Sequence, residues 1–269
     1  MRVGAARYAA MFDRLAARGE GAFGAFVMLG DPSPAATPAI LDALVAGGAD
    51  MIEVGIPFSD PIADGPVIQA AAERALAAGG TAAACFELLS GFRSRHPDVP
   101  VGILTYANLV INRGRDAFYS ACAAAGVDSV LVADVPVIEA GPYADVARAH
   151  EIAPVMIAAV NTPEPALASV AALGEGYTYC LARVGVTGAG TAMQLDHGKL
   201  LGTLAFLGAP PAVLGFGIST PDNVRTALAA GAAGVISGSA IVALIAEHGT
   251  AAAGPVEGFV VAMKRATVS

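Results

Sequence analysis

Met51-Ile52-Glu53-Val54-Gly55-Ile56-Pro57-Phe58-Ser59-Asp60-Pro61-Ile62-Ala63-Asp64-Gly65-Pro66 begins as a strand and ends as a loop. Its opening residues are apolar except Glu53, which has Ile52 and Val54 on either side, while Pro57, Pro61 and Gly65 break any regular element further on. A short run that is apolar on both faces suits a parallel strand covered by helices. Working outward from 51–54, seven more runs read alike: 25–29, 101–105, 129–132, 154–158, 177–181, 212–215 and 234–237. Ala-rich stretches of helical character lie between them. Thr37-Pro38 and Thr220-Pro221 each put a capping hydroxyl ahead of a proline suited to a first helical turn. Ala46-Gly47-Gly48, Ala125-Gly126 and Ala230-Gly231 end helices and lead into strands.

Eight strand–helix units without a linker, low-complexity tract or composition break favour an α/β fold of the TIM-barrel type, a single-domain (β/α)8 barrel over residues 1–269. A doubly wound sheet is the alternative. Residues 8–18 read as an extra amphipathic helix ahead of the first strand.

Hydrophobic residues make up 55% of the chain and charged ones 14%, yet no apolar run approaches the roughly 20 residues of a membrane span. The net charge of -8 argues against a nucleic-acid partner. Cys85, Cys122 and Cys180 are odd in number and widely spaced, as buried free thiols in a reducing compartment would be. Asp13 and Glu20 interrupt the pattern begun by Arg2 and Arg7, no signal segment follows, and the expected location is cytoplasmic.

In such barrels the chemistry sits where strands end. Glu53 lies inside a strand between apolar neighbours, so it is either paired structurally or tuned by burial to act as a general acid/base. Asp64 belongs to the loop over the same mouth, or is an ordinary turn residue before Gly65. Asp60, Asp31 and Asp134 have similar turn or cap readings. Gly215-Phe216-Gly217 and Gly238-Ser239 follow the last two strands, where backbone N–H groups and a helix start can bind phosphate. Thr187-Gly188 offers a loop that closes over the site. Neither lysine, Lys199 or Lys264, falls at a strand end, which disfavours Schiff-base chemistry. His96, His150, His197 and His248 lie outside the strands without metal-ligand spacing, and no metal is expected. Carboxylates beside a phosphate clamp imply acid–base chemistry on a substrate that supplies its own electron sink.

The stretch from Glu53 to Pro66 closely resembles the signature of tryptophan synthase alpha subunits. The likeness continues through Tyr106-Ala107-Asn108, Val130-Leu131-Val132-Ala133-Asp134-Val135-Pro136, Gly185-Val186-Thr187-Gly188, Gly215-Phe216-Gly217-Ile218-Ser219 and Ser237-Gly238-Ser239-Ala240-Ile241. It implies a lyase of tryptophan biosynthesis that cleaves indole-3-glycerol phosphate by retro-aldol chemistry. Glu53 would then move the protons and Asp64 would bond the indole nitrogen. Phe26, Leu104, Tyr106, Leu131, Ala133, Ile157, Tyr179, Thr187 and Phe216 would surround the substrate, and Gly188, Gly217, Gly238 and Ser239 its phosphate. The resemblance implies no cofactor in this chain, but a beta-subunit partner that carries pyridoxal phosphate in an alpha2beta2 heterotetramer. Pro57, Phe58, Asp60 and Asn108 resemble positions touching that partner. Two alternatives stand beside this reading: a stand-alone indole-releasing lyase, and a non-catalytic allosteric activator of a beta subunit. Ala158-Ala159-Val160-Asn161 and Val184 depart from the family pattern.

Overall fold

A computed structural model describes residues 3–181 and 197–268; Thr187, Gly188 and Val184 lie outside the described residues. The apolar runs form β1 (Ala22–Met28), β2 (Met51–Gly55), β3 (Val101–Thr105), β4 (Ser129–Val132), β5 (Ala153–Pro154), β6 (Met156–Ala159), β7 (Thr178–Leu181), β8 (Ala212–Gly215) and β9 (Gly234–Ser237). They make one sheet in the order β5-β4-β3-β2-β1-β9-β8-β7-β6, with every ladder between them parallel. The sheet curls into a nearly closed TIM barrel. The fifth predicted strand is thus two short pieces. Val130 pairs with Pro154, and the Val155 N–H reaches the Val130 carbonyl at 3.0 Å. Beyond that bond the ladder stops. Pro154, which has no N–H to donate, sits at the break.

Helix α1 (Val3–Ala16) precedes the barrel. The strands are connected and covered by α2 (Thr37–Ala46), α3 (Pro66–Ala77), α4 (Ala82–Arg95), α5 (Ala107–Ile111), α6 (Arg115–Ala124), α7 (Gly141–Ala149), α8 (Glu164–Leu173), α9 (His197–Phe206) and α10 (Pro221–Ala229), and β9 is followed by α11 (Ser239–His248) and α12 (Ala253–Arg265). Thr220 caps α10 as its sequence predicts, in a capping box with Asn223. Thr37 does not cap α2. It is the first residue of that helix, and its hydroxyl accepts the Gly30 N–H at 3.1 Å and donates to the Ser33 carbonyl at 3.0 Å, tying down the loop after β1. Among the described residues no single helix is long and apolar enough to cross a membrane.

Alternation along the strands divides the core. Val27, Ile52, Val54, Ile103, Val130, Leu214 and Val235 face the helices, in a cluster that also buries all three cysteines as free thiols. Phe26, Met28, Met51, Leu131, Tyr177, Tyr179, Val213 and Ile236 fill the barrel itself. Tyr8, Met11 and Leu15 of α1 join this inner cluster, and the Tyr8 hydroxyl meets Ser129 Oγ at 2.9 Å. Asp128, one residue before β4, is fully buried at this end. It accepts hydrogen bonds from Arg7, from Arg93 at 2.6 Å and from the Val101 N–H at 2.8 Å.

Candidate active site

The opposite end of the barrel is the mouth. In register, Glu53 lies between Phe26 of β1 and Gly102 of β3. Gly102 must be a glycine, because an added Cβ would stand 2.4 Å from Ser129 Oγ and 3.1 Å from the Tyr8 hydroxyl. Glu53 is only 3% exposed. Its Oε1 accepts a hydrogen bond from the Tyr177 hydroxyl at 2.7 Å, whereas its buried Oε2 has no hydrogen-bond partner among the described residues. Burial pushes the carboxyl up to about 7; the Tyr177 hydrogen bond draws it down and the charge of Asp64 adds to the rise.

Asp64 stands just before α3. It too is buried and raised above the usual carboxylate range by that burial, against the pull of its hydrogen bond with Tyr106. The Tyr106 hydroxyl also accepts the Ala63 N–H at 3.3 Å, and Gln69 Nε2 donates to the Asp64 carbonyl at 2.7 Å. The loop is held at three points.

Glu53 and Asp64 share the wall of a cavity of about 360 Å³. Phe26, Leu104, Tyr179 and Phe216 make its apolar sides, joined by Val67, Ile68 and Ile236. Gly217, Ser219, Gly238 and Ser239 line it as well, and α11 starts there. First-turn N–H groups of a helix lack acceptors within the helix, so this start offers donors and a positive dipole end to an anion. Phe216 and Gly217 have φ of 59° and 82°, two consecutive left-handed residues that fold the chain back over the mouth. The Phe216 ring meets Tyr179 edge-on at 5.9 Å. An added Cβ on Gly215 would lie 2.1 Å from the Tyr179 hydroxyl. Among the described residues no lysine or arginine lines the cavity. Lys264 is engaged by Asp50 and Glu20, and Lys199 lies exposed on α9.

The other sequence-predicted residues are distributed as follows. Leu131, Ala133 and Ile157 belong to the inner cluster, but Ala133 and Ile157 face a second cavity of about 440 Å³ between β4 and β6. That void is larger, yet the one acid on its wall among the described residues, Asp134, is already accepting the Ala107 N–H at 2.7 Å. Tyr106 does not line the first cavity; it holds Asp64, with its ring 5.5 Å from Phe58. Thr187 and Gly188 lie outside the described residues. Asp60 and Asn108 are exposed on the rim, Phe58 is half-buried and Pro57 is buried within the chain. Sequence reasoning missed Tyr177, although two tyrosines two apart in a strand share a face. It also missed an apolar rim: Ile62, Ile111 and Ile138 are 74%, 50% and 85% exposed on the segments after β2, β3 and β4. These are neighbouring strands.

The family model described as "Tryptophan synthase alpha chain" matches residues 12–267. The tryptophan synthase alpha chain of Shewanella oneidensis is 56% identical over 244 residues, covering 91% of this chain and 88% of that one. That of Yersinia pseudotuberculosis is 53% identical over 269 residues, covering 98% and 99%. Among solved structures, tryptophan synthase subunit alpha from Legionella pneumophila superposes with a TM-score of 0.87 at 28% identity, covering 99% of this chain and 98% of that one. A chain of the tryptophan synthase a2b2 complex from Pyrococcus furiosus gives 0.81 at 34% identity, covering 91% and 98%.

Proposed function

Because the chain belongs to the tryptophan synthase alpha chain family, we propose that Glu53 and Asp64 carry the reaction that its members perform. The enzyme is a lyase that cleaves indole-3-glycerol phosphate to indole and glyceraldehyde 3-phosphate. Protonation of the indole carbon that bears the side chain converts the ring to an iminium ion, whose positive nitrogen the Asp64 carboxylate stabilises. Glu53, ionised at the start, takes the proton of the side-chain hydroxyl and delivers it to that carbon. The bond between ring and chain then breaks, its electron pair returns to the ring, and the aldehyde leaves. Neither a lysine nor a metal enters these steps.

The observation that carries the reading is the state of Glu53: buried, poised near neutrality, with one oxygen bonded and the other open beside Asp64. A base shifted toward the working pH spends comparable time in both protonation states, as a group that gives and takes one proton must. Phe26, Leu104, Tyr179 and Phe216 suit an indole ring, and Leu131, Ala133 and Ile157 back it from the inner cluster. Among the described residues no basic side chain stands on the wall, and N–H groups of Gly217, Gly238 and Ser239, with the Ser239 hydroxyl, bind the phosphate. Thr187 and Gly188 join them by resemblance. Tyr106 acts on the substrate through Asp64.

The partner is a beta subunit, and the pyridoxal phosphate of the complex belongs to it. Asp60, Asn108 and Phe58 reach it across the rim with Ile62, Ile111 and Ile138, whose exposure is that of a surface awaiting cover. Pro57 shapes the rim from beneath. We place residues 1–269 in one domain, because a single sheet takes its strands from Ala22 to Ser237, and the enzyme in the cytoplasm, where buried thiols stay reduced.

The test is indole release from indole-3-glycerol phosphate by the full chain, alone and with a beta subunit. Stimulation by the partner is expected, and Glu53→Gln is expected to lower turnover by about 10³-fold or more with folding intact. Undiminished turnover in that variant would falsify the assignment. High turnover without the partner would make the chain a stand-alone lyase, and none in either state a non-catalytic activator.

A further inference from the structure

Glu53 has two oxygens, and they are not equivalent. Oε1 takes the Tyr177 hydroxyl at 2.7 Å, while Oε2 is buried without a hydrogen-bond partner. Tyr177 itself is rigidly seated. Its ring lies 5.3 Å from that of Tyr8, and Tyr8 is anchored by Ser129. Gly176 turns the chain into β7 with φ of 77°, and an added Cβ there would come within 3.1 Å of the Tyr8 ring. Burial and the nearby Glu53 charge hold the Tyr177 phenol well above its ordinary value, so it remains a donor wherever the enzyme works. The other groups facing Glu53 are Asp64 from the loop before α3, Tyr8 from α1 and Tyr179 from β7. Among the described residues only Tyr177 is hydrogen-bonded to its side chain.

We propose that Tyr177 is a positioning residue: by holding Oε1 it fixes the carboxylate plane and leaves Oε2 as the oxygen that exchanges protons with the substrate. The proposal rests on the reading of Glu53 as the acid–base group. A carboxylate free to rotate would offer either oxygen and would relax toward the Tyr8–Ser129 pair or toward Asp64. A single buried donor on one oxygen removes that freedom and favours the ionised form, from which the cycle begins.

The experiment is the pH dependence of indole release by the full chain with a beta subunit, for Tyr177→Phe against the unaltered protein. Loss of the donor is expected to lower kcat about tenfold to a hundredfold at neutral pH, to change KM by less than about threefold, and to move the acid limb of the kcat profile upward by about one pH unit. Tyr8→Phe removes from the same stack a hydroxyl that is bonded to Ser129 and not to Glu53, and is expected to leave the limb in place. Replacement of Tyr177 by 3-fluorotyrosine keeps the shape and strengthens the donor, so the limb is expected to move downward; this variant decides if the phenylalanine protein does not fold. An acid limb that stays put in both Tyr177 variants overturns the proposal. If Glu53→Gln is inactive in that case, only the positioning role falls; if it is active, the acid–base reading falls as well.

Discussion

Asp128 and Glu53 are carboxylates sunk into the same barrel from opposite ends, and their surroundings differ as structure differs from chemistry. Asp128 has two guanidinium partners and a backbone N–H, one set of donors for each oxygen. Glu53 has one phenol on one oxygen. Burial alone therefore does not mark a reacting acid. A fully satisfied buried charge ties elements together, here α1, α4 and β3, whereas an incompletely satisfied one is held ready at a cost to the fold.

The contrast is most easily broken at Asp128. Asp128→Ala strands Arg7 and Arg93 beside an apolar floor, and urea unfolding is expected to register a loss of about 3–5 kcal/mol. A loss below about 1 kcal/mol would mean that the satisfied acid is not structural. Gly215→Ala probes the mouth by crowding instead of by charge. Tyr179 must move to admit the methyl, with an expected cost of about 1–3 kcal/mol and a fall in kcat/KM, since Tyr179 walls the cavity.

Glu53→Gln sharpens the comparison, because it should stabilise. The folded chain holds this carboxyl at about 7 against an ordinary 4.5, so between those values the folded state binds more protons than the unfolded one. Stability from this site therefore falls as pH rises from about 4.5 to 7 and is flat above. Relative to the natural protein, the variant is expected to gain on the order of 1–3 kcal/mol at pH 8 and nothing near pH 4, read as the difference in melting temperature across that range. An equal effect at both pH values would remove the claim that the buried charge of Glu53 costs the fold stability. At the small end lies Arg225→Ala. Its pair with Asp222 is exposed on both sides, and a change under about 0.5 kcal/mol is expected from thermal unfolding.

The fold was legible because the signal was local. The strands are short apolar runs, and most helix ends carry a glycine or proline nearby, although α7 ends at His150-Glu151 without one. The split of the fifth strand was not, because it depends on how far β4 and its neighbour stay parallel. Thr37 misled because Ser33 and Gly30 compete for its hydroxyl, and only the folded loop shows which bond forms. Glu53 stood out as a charge between apolar neighbours. Its partner did not, since 124 residues separate Tyr177 from it and closure of the barrel brings them together. Tyr106 was drawn toward the substrate by resemblance, whereas its hydroxyl is spent on Asp64. The rim isoleucines carry no motif; exposure alone reveals them.

The break at Val155 has a mechanical meaning. Below it β4 is laced to β5, and above it β4 and β6 stand apart across a void of about 440 Å³. Side chains around a void yield more readily than a ladder of amide bonds, so this flank can dilate without breaking a rung. A push on the rim after β4 is then absorbed as local widening, while the floor under Glu53 keeps its shape.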